Sequence, residues 1–170
     1  MPTARRSRTI AAPAEELWDV ISDPHHLPRW WPRVNRVEDV TLTGTGEYDS
    51  FTEVMRTAKG KVVRADFELV PAERGARALR WRQRVEGTPF ARLLKAAETE
   101  VSLTPAPASS YPRAGPPGSD DGDRTSATEV TIELKQTLTG FFPRFGGYMV
   151  RRAAAATIEE ALDGLERIGG

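Results

Sequence analysis

Two hydrophobic periods divide this chain. Along 62–70, Val63, Ala65, Phe67 and Leu69 fall on one parity, and Arg64, Asp66 and Glu68 on the other. Along "ALRWRQRVEG", Leu79, Trp81 and Val85 alternate with Arg80, Arg82 and Arg84. Residues 96–104 repeat the theme, and so do 127–138, where Val130, Ile132 and Leu134 oppose Glu129, Thr131, Glu133 and Lys135. Side chains of a strand point to opposite faces in turn, so this pattern predicts an antiparallel sheet with one wet face.

The remaining segments fill in the order. Residues 4–11 read as a strand. Pro13 suits the opening of a helix that carries Leu17, Val20 and Ile21 at helical spacing. Residues 24–32 hold too many prolines for a long helix and predict one helical turn and a loop. "VNRVEDVTL" is a ragged strand, and the stretch that follows predicts a hairpin turning at Lys59-Gly60-Lys61. From 143 to 168 the period becomes helical over about 39 Å. Phe145, Met149, Ala153 and Ala156 are predicted to line one side, and Ile158, Ala161, Leu162, Leu165 and Ile168 continue the stripe.

Only this last helix is long enough to cover a sheet. The economical packing is an α+β fold: a curved antiparallel sheet of about seven strands wrapped around a long C-terminal helix, with short helices after the first strand. Alanines 153–156 leave space between helix and sheet, which is either closed by close approach or left as a cavity. Residues 106–126 are rich in Pro, Gly, Ser and Asp and nearly devoid of aliphatics. They cannot bury enough apolar area to offset their ordering entropy, and predict a flexible loop inside one domain spanning 1–170.

Composition narrows the function classes. With 24 basic and 24 acidic residues the chain has no broad positive footprint, and nucleic acid is not expected as a partner. It has no cysteine, so disulfide and thiol chemistry are excluded. No apolar run is long enough for a signal peptide or a membrane span, and a cytoplasmic monomer or homodimer is expected.

The element order, with "TIAAPAEELWDVISDP", "LPRWWPRV", "ETEVSLTP…ATEVTIEL" and "GGYMVRRAAAATIEEALDGLERI", resembles the START-like or SRPBCC superfamily, which includes polyketide cyclase/dehydrase and lipid-transfer proteins. The resemblance covers nearly all the chain outside 106–126. It implies a helix-grip fold with an apolar tunnel between sheet and long helix. It also implies a small hydrophobic partner such as a lipid, a polyketide or an aromatic molecule. Some members are cyclases or aromatases, and some act as partners of other proteins. No catalytic motif is common to the superfamily, so none is carried over, and no cofactor is expected.

The candidate site follows from parity and aromatic content. His25 and His26, the only two histidines, lack the further His or Cys that a tight metal site needs, so no metal is expected and both are read as surface. Of Trp30 and Trp31, one is expected in the core and one at the cavity mouth, in either order. Phe51, Glu53 and Met55 share a strand face, as do Trp81, Gln83 and Val85, while Phe67 lies on the apolar face of its strand. Arg152 is one turn from Met149 and Ala156. Glu53, Gln83 and Arg152 are candidate polar anchors in an apolar cavity, with solvent-facing Glu53 and Arg152 as the alternative. Phe90, Leu93 and Leu94 form an apolar cluster after Pro89 that reads as a loop on the core or a flap over the mouth. Arg80, Arg82 and Arg84 read as a solvated outer strip, with an anionic partner as the alternative.

Overall fold

The alternating segments join into one seven-stranded sheet in the computed structural model, which describes residues 2–57, 59–72, 77–107, 126–140 and 146–169. Strands β1 (Thr3–Ile10), β2 (Val34–Leu42), β3 (Tyr48–Arg56), β4 (Val62–Val70), β5 (Ala78–Gln83), β6 (Leu94–Ala106) and β7 (Ala127–Leu138) lie in the order β1-β7-β6-β5-β4-β3-β2. Every neighbouring pair is antiparallel. Strands β2 to β7 form a meander, and β1 is placed against β7 at the far edge. The β6–β7 register runs from Leu94↔Leu138 to Ala106↔Ala127, so the polar stretch read as a flexible loop connects two paired strands. Nearly all of that stretch lies outside the described residues.

Helix α1 (Ala14–Ile21) follows Pro13 and buries Leu17 and Ile21, one turn apart. A 3-10 turn (Pro24–His26) and the one-turn helix α2 (Leu27–Trp30) then carry the chain to β2. The Asp23 carboxylate accepts hydrogen bonds from the backbone N–H of His25 at 3.0 Å and from its ring Nδ1 at 2.8 Å. The histidine-rich turn is thus braced by its own aspartate, and the His25 side chain is exposed.

Helix α3 (Gly146–Gly169) lies across the sheet. Its C-terminal part is the anchored part: Ile158, Leu162 and Leu165 are fully buried among Ile10, Leu17, Val130 and Ile132. Each such side chain contributes roughly 1.5–3 kcal/mol of burial, whereas the alanines at 153–156 contribute little. Arg8 on β1 ties the outside of this helix with bonds to Glu159 at 2.6 Å, Asp163 at 2.5 Å and Glu166 at 3.1 Å.

The predicted outer strip is on the outer face. Arg80 and Arg82 both reach Glu98 on β6, and Arg84 lies 3.5 Å from Glu68 on β4. Burial works against ionising Glu98, but the hydrogen bonds from Arg80 and Arg82 outweigh it and hold the carboxyl below its ordinary range. The three arginines face acids of their own sheet, which satisfies them without an external anion.

Candidate functional site

Under the N-terminal half of α3, where small residues replace leucine and isoleucine, the sheet and helix do not meet. A cavity of about 360 Å³ remains. Its ceiling is Val150, Ala153, Ala154 and Thr157 of α3. Its floor is the inward parity of five strands, from Glu53 and Met55 on β3 to Leu134, Gln136 and Leu138 on β7. The predicted cluster Phe90, Leu93 and Leu94 closes one side, the first two around a 3-10 turn (Pro89–Arg92) and Leu94 at the start of β6. Thr139 fixes that segment, donating from its hydroxyl to Arg92 O at 2.8 Å and from its backbone N–H to Leu93 O at 3.1 Å.

The two tryptophans separate. Trp30 is 2 % exposed and belongs to the core, while Trp31 lines the cavity. A close backbone approach decides this order. A Cβ on Gly164 would sit 2.5 Å from Trp30 O and 2.7 Å from Trp30 Cα, so α2 crosses α3 with its backbone resting on the bare glycine. That contact turns Trp30 inward beside α3 and leaves Trp31 to face the sheet. The Trp31 ring meets Trp30 edge-on at 5.4 Å and Trp81 edge-on at 5.7 Å, which makes a continuous aromatic wall.

Glu53 is the chemically distinctive group. It is 2 % exposed, and its Oε1 has no hydrogen-bond partner among the described residues. Its register partners are Val37 on β2 and Ala65 on β4, neither able to pair it. Burial pushes its carboxyl up to about 8, so at neutral pH it is mainly the neutral acid. Gln83 Nε2, also in the lining, likewise has no partner among the described residues. Buried polar groups are normally satisfied, so two open ones in a single cavity wall are an exception that calls for a reason.

Most of the sequence candidates line the cavity: Trp31, Glu53, Met55, Phe67, Trp81, Gln83 and Phe90, with Leu93 and Leu94 of the same flap cluster. Phe51 is buried but does not line it. Phe51 stacks behind Phe67, with ring centroids 5.4 Å apart and 14° between planes. Met149 and Arg152 require correction. Both are exposed, Met149 by 69 %, and neither lines the cavity. The buried stripe runs through Gly146, Ala154, Ile158, Ala161 and Leu165, rotated from the predicted one, of which Ala153 still borders the cavity while Met149 and Ala156 face outward. Phe145, which helped to suggest that phase, lies outside the described residues. We expect Met149→Ala and Arg152→Ala each to change stability by no more than about 0.5 kcal/mol, the usual scale for exposed sites. Urea unfolding checks this, and a loss several times larger in either variant would restore the inward reading.

Three polar lining residues were not singled out from the sequence: Thr99, Gln136 and Thr157. Parity carries the signal for the first two, since Thr99 shares the face of Val101, and Gln136 that of Leu134 and Leu138. Thr157 follows Ala153 by one helical turn, and its hydroxyl donates to Ala153 O at 3.1 Å.

A family model described as polyketide cyclase / dehydrase and lipid transport matches residues 1–168. No curated protein matches the chain. Among solved structures, a START superfamily protein from Mycobacterium smegmatis superimposes with a TM-score of 0.71 at 16% identity, covering 98% of this chain and 96% of that one. The di-domain ARO/CYC BexL from the BE-7585A biosynthetic pathway gives 0.67 at 18% identity, over 98% of this chain and 46% of that one. A protein from Thermus thermophilus gives 0.64 at 24% identity, over 98% of this chain and 95% of that one. At these identities the likeness speaks to the fold.

Proposed function

The chain belongs to the polyketide cyclase / dehydrase and lipid transport family, and on that premise we propose that it holds one small hydrophobic molecule between the sheet and α3. The observation that carries this reading is the cavity itself. Its volume, about 360 Å³, falls near the lower end of the roughly 300–1,000 Å³ typical of ligand sites. An apolar, aromatic lining with a few polar groups is the usual composition of such sites. The aromatic rings of Trp31, Phe67, Trp81 and Phe90 favour a ligand with flat apolar surface. The open space argues against a module that fills its own cavity and works only through protein contacts. We read residues 1–170 as one domain built around this site.

Native mass spectrometry of the purified full chain tests the proposal. A bound molecule of a few hundred daltons, released on denaturation, is the expected result. A bare chain that also takes up no aromatic probe when titrated would contradict it.

One observation supports a second reading, an enzyme of cyclase type. Glu53 is an acid–base group inside the cavity, poised near neutral pH, which is where general acid or base catalysis is most effective. On that reading Glu53→Gln abolishes turnover of a bound polyketide while the ligand still binds. Loss of binding and turnover together would favour the simpler binding role.

A further inference from the structure

Glu53 is the only ionisable side chain in the cavity lining among the described residues. What faces it from the packed elements is uncharged: Val37 on β2, Ala65 on β4, Gln83 on β5, Thr99 on β6, Gln136 on β7 and Thr157 on α3. The charged residues nearest to it along β2 and β4 lie on the opposite face and are engaged there. Arg64 reaches Glu38 and Asp39, Arg36 reaches Glu38, and Asp66 accepts a bond from the Thr52 hydroxyl at 2.6 Å. The cavity therefore holds one acid and no compensating cation among the described residues.

Neutral hydrogen bonding does not need that acid, because Gln83, Gln136 and Thr99 already offer amide and hydroxyl groups to the same space. What a carboxyl adds is the ability to become charged when a cation draws off its proton. An anionic ligand would bury its own charge beside the protonated Glu53 with no cation in the lining, among the described residues, to offset it, and is disfavoured. A cation would supply the missing partner, and the faces of Trp31, Trp81, Phe67 and Phe90 attract a cation as well.

We propose that the ligand is a lipophilic amine, whose protonated nitrogen pairs with the Glu53 carboxylate while its apolar body lies against the four aromatic side chains. The proposal rests on the ligand-binding reading above and specifies its chemistry.

The pairing has a balanced proton ledger. Below about pH 8 the ligand-free carboxyl is protonated, and the amine arrives from water as an ammonium ion. Forming the pair breaks the Glu53 O–H bond and sends that proton to the buffer. Amine affinity should then rise roughly tenfold per pH unit up to about 8, and level off until the amine itself deprotonates. A neutral ligand held by the protonated acid would show the opposite trend and weaken above pH 8.

Calorimetric titration of the full chain with 2-naphthylmethylamine, its near-isostere 2-naphthylmethanol, and 2-naphthoate tests this at pH 6, 7 and 8. The amine is expected to bind at least about tenfold tighter than the alcohol at pH 8, with proton release at pH 7 and with naphthoate weakest. In Glu53→Gln, checked for an unchanged melting profile shape, amine and alcohol should converge to one affinity with no pH slope. Alcohol binding equal to amine binding in the wild type, or an amine preference that survives Glu53→Gln, overturns the proposal and leaves the cavity reading standing. If none of the three compounds binds, both readings fail.

Discussion

Gly164→Ala should unfold at a temperature about 2–8 °C below the wild type, a net loss of about 1–2 kcal/mol for a chain of this size. Two effects oppose each other. Replacing a helical glycine by alanine ordinarily gains up to about 1 kcal/mol. Here the new methyl would overlap Trp30 O, Cα and C at 2.5, 2.7 and 3.0 Å. These are backbone atoms of α2 and cannot rotate aside, so relief requires moving the whole turn. Overpacking of that kind costs about 1–3 kcal/mol and occasionally more, and the clash wins. Gly147→Ala on the same helix supplies the contrast, since its Cβ would meet only Pro2 Cγ at 3.9 Å. That variant should be neutral or slightly stabilised. Differential scanning calorimetry of the pair decides the point, and a Gly164→Ala protein as stable as Gly147→Ala would refute the crossing. Because α2 also carries the chain into Trp31, Gly164→Ala should weaken ligand uptake as well as stability.

Glu53→Gln should make the ligand-free protein more stable at pH 7, by about 3 kcal/mol. The sign follows from which state ionises first. Below pH 4.5 the carboxyl is protonated in both the folded and the unfolded chain, and Glu53 has no pH-dependent effect. Between 4.5 and about 8 the unfolded chain ionises it while the buried group stays neutral, so the folded state loses about 1.4 kcal/mol per pH unit. Above about 8 both states are ionised and the penalty stops growing. Glutamine has nearly the same shape and no charge to lose, so the stability difference between variant and wild type isolates this one group. Urea unfolding from pH 4 to 9 should give a difference near zero at pH 4 that climbs and then levels off. A difference independent of pH would mean that Glu53 is hydrated or paired in solution.

Strand parity made most of the cavity floor legible from the sequence. Ala65 and Phe67, Trp81 and Gln83, and Leu134 each sit on a strand whose polar and apolar positions alternate cleanly, so the inward set follows from the period. The long helix was read less well, for a physical reason. Four successive alanines at 153–156 present equal hydrophobicity on every side and carry no phase. Met149 then pulled the predicted stripe toward itself. The true phase is set from the other end, where Ile158 and Leu165 are locked against β1 and β7, and one turn before Ile158 comes Ala154, then Val150. The tryptophan pair was undecidable from periodicity, because its resolution depends on a glycine more than 130 positions away. Sequence alternation cannot show that kind of contact. The absence of a facing cation around Glu53, among the described residues, is likewise a property of the assembled cavity.

The space beneath Ala153 and Ala154 is the proposed binding site. Ala65 is 3 % exposed and faces that space beside Glu53, so Ala65→Leu fills it from the sheet side. Fluorescence titration with N-phenyl-1-naphthylamine, a neutral aromatic probe that brightens in apolar surroundings, measures access directly. Saturable one-to-one binding to the wild type is expected, with at least about tenfold weaker binding to a folded Ala65→Leu, since a blocked pocket forfeits several apolar contacts. Equal affinity in the two proteins would place the probe elsewhere and rule out this space as the binding site.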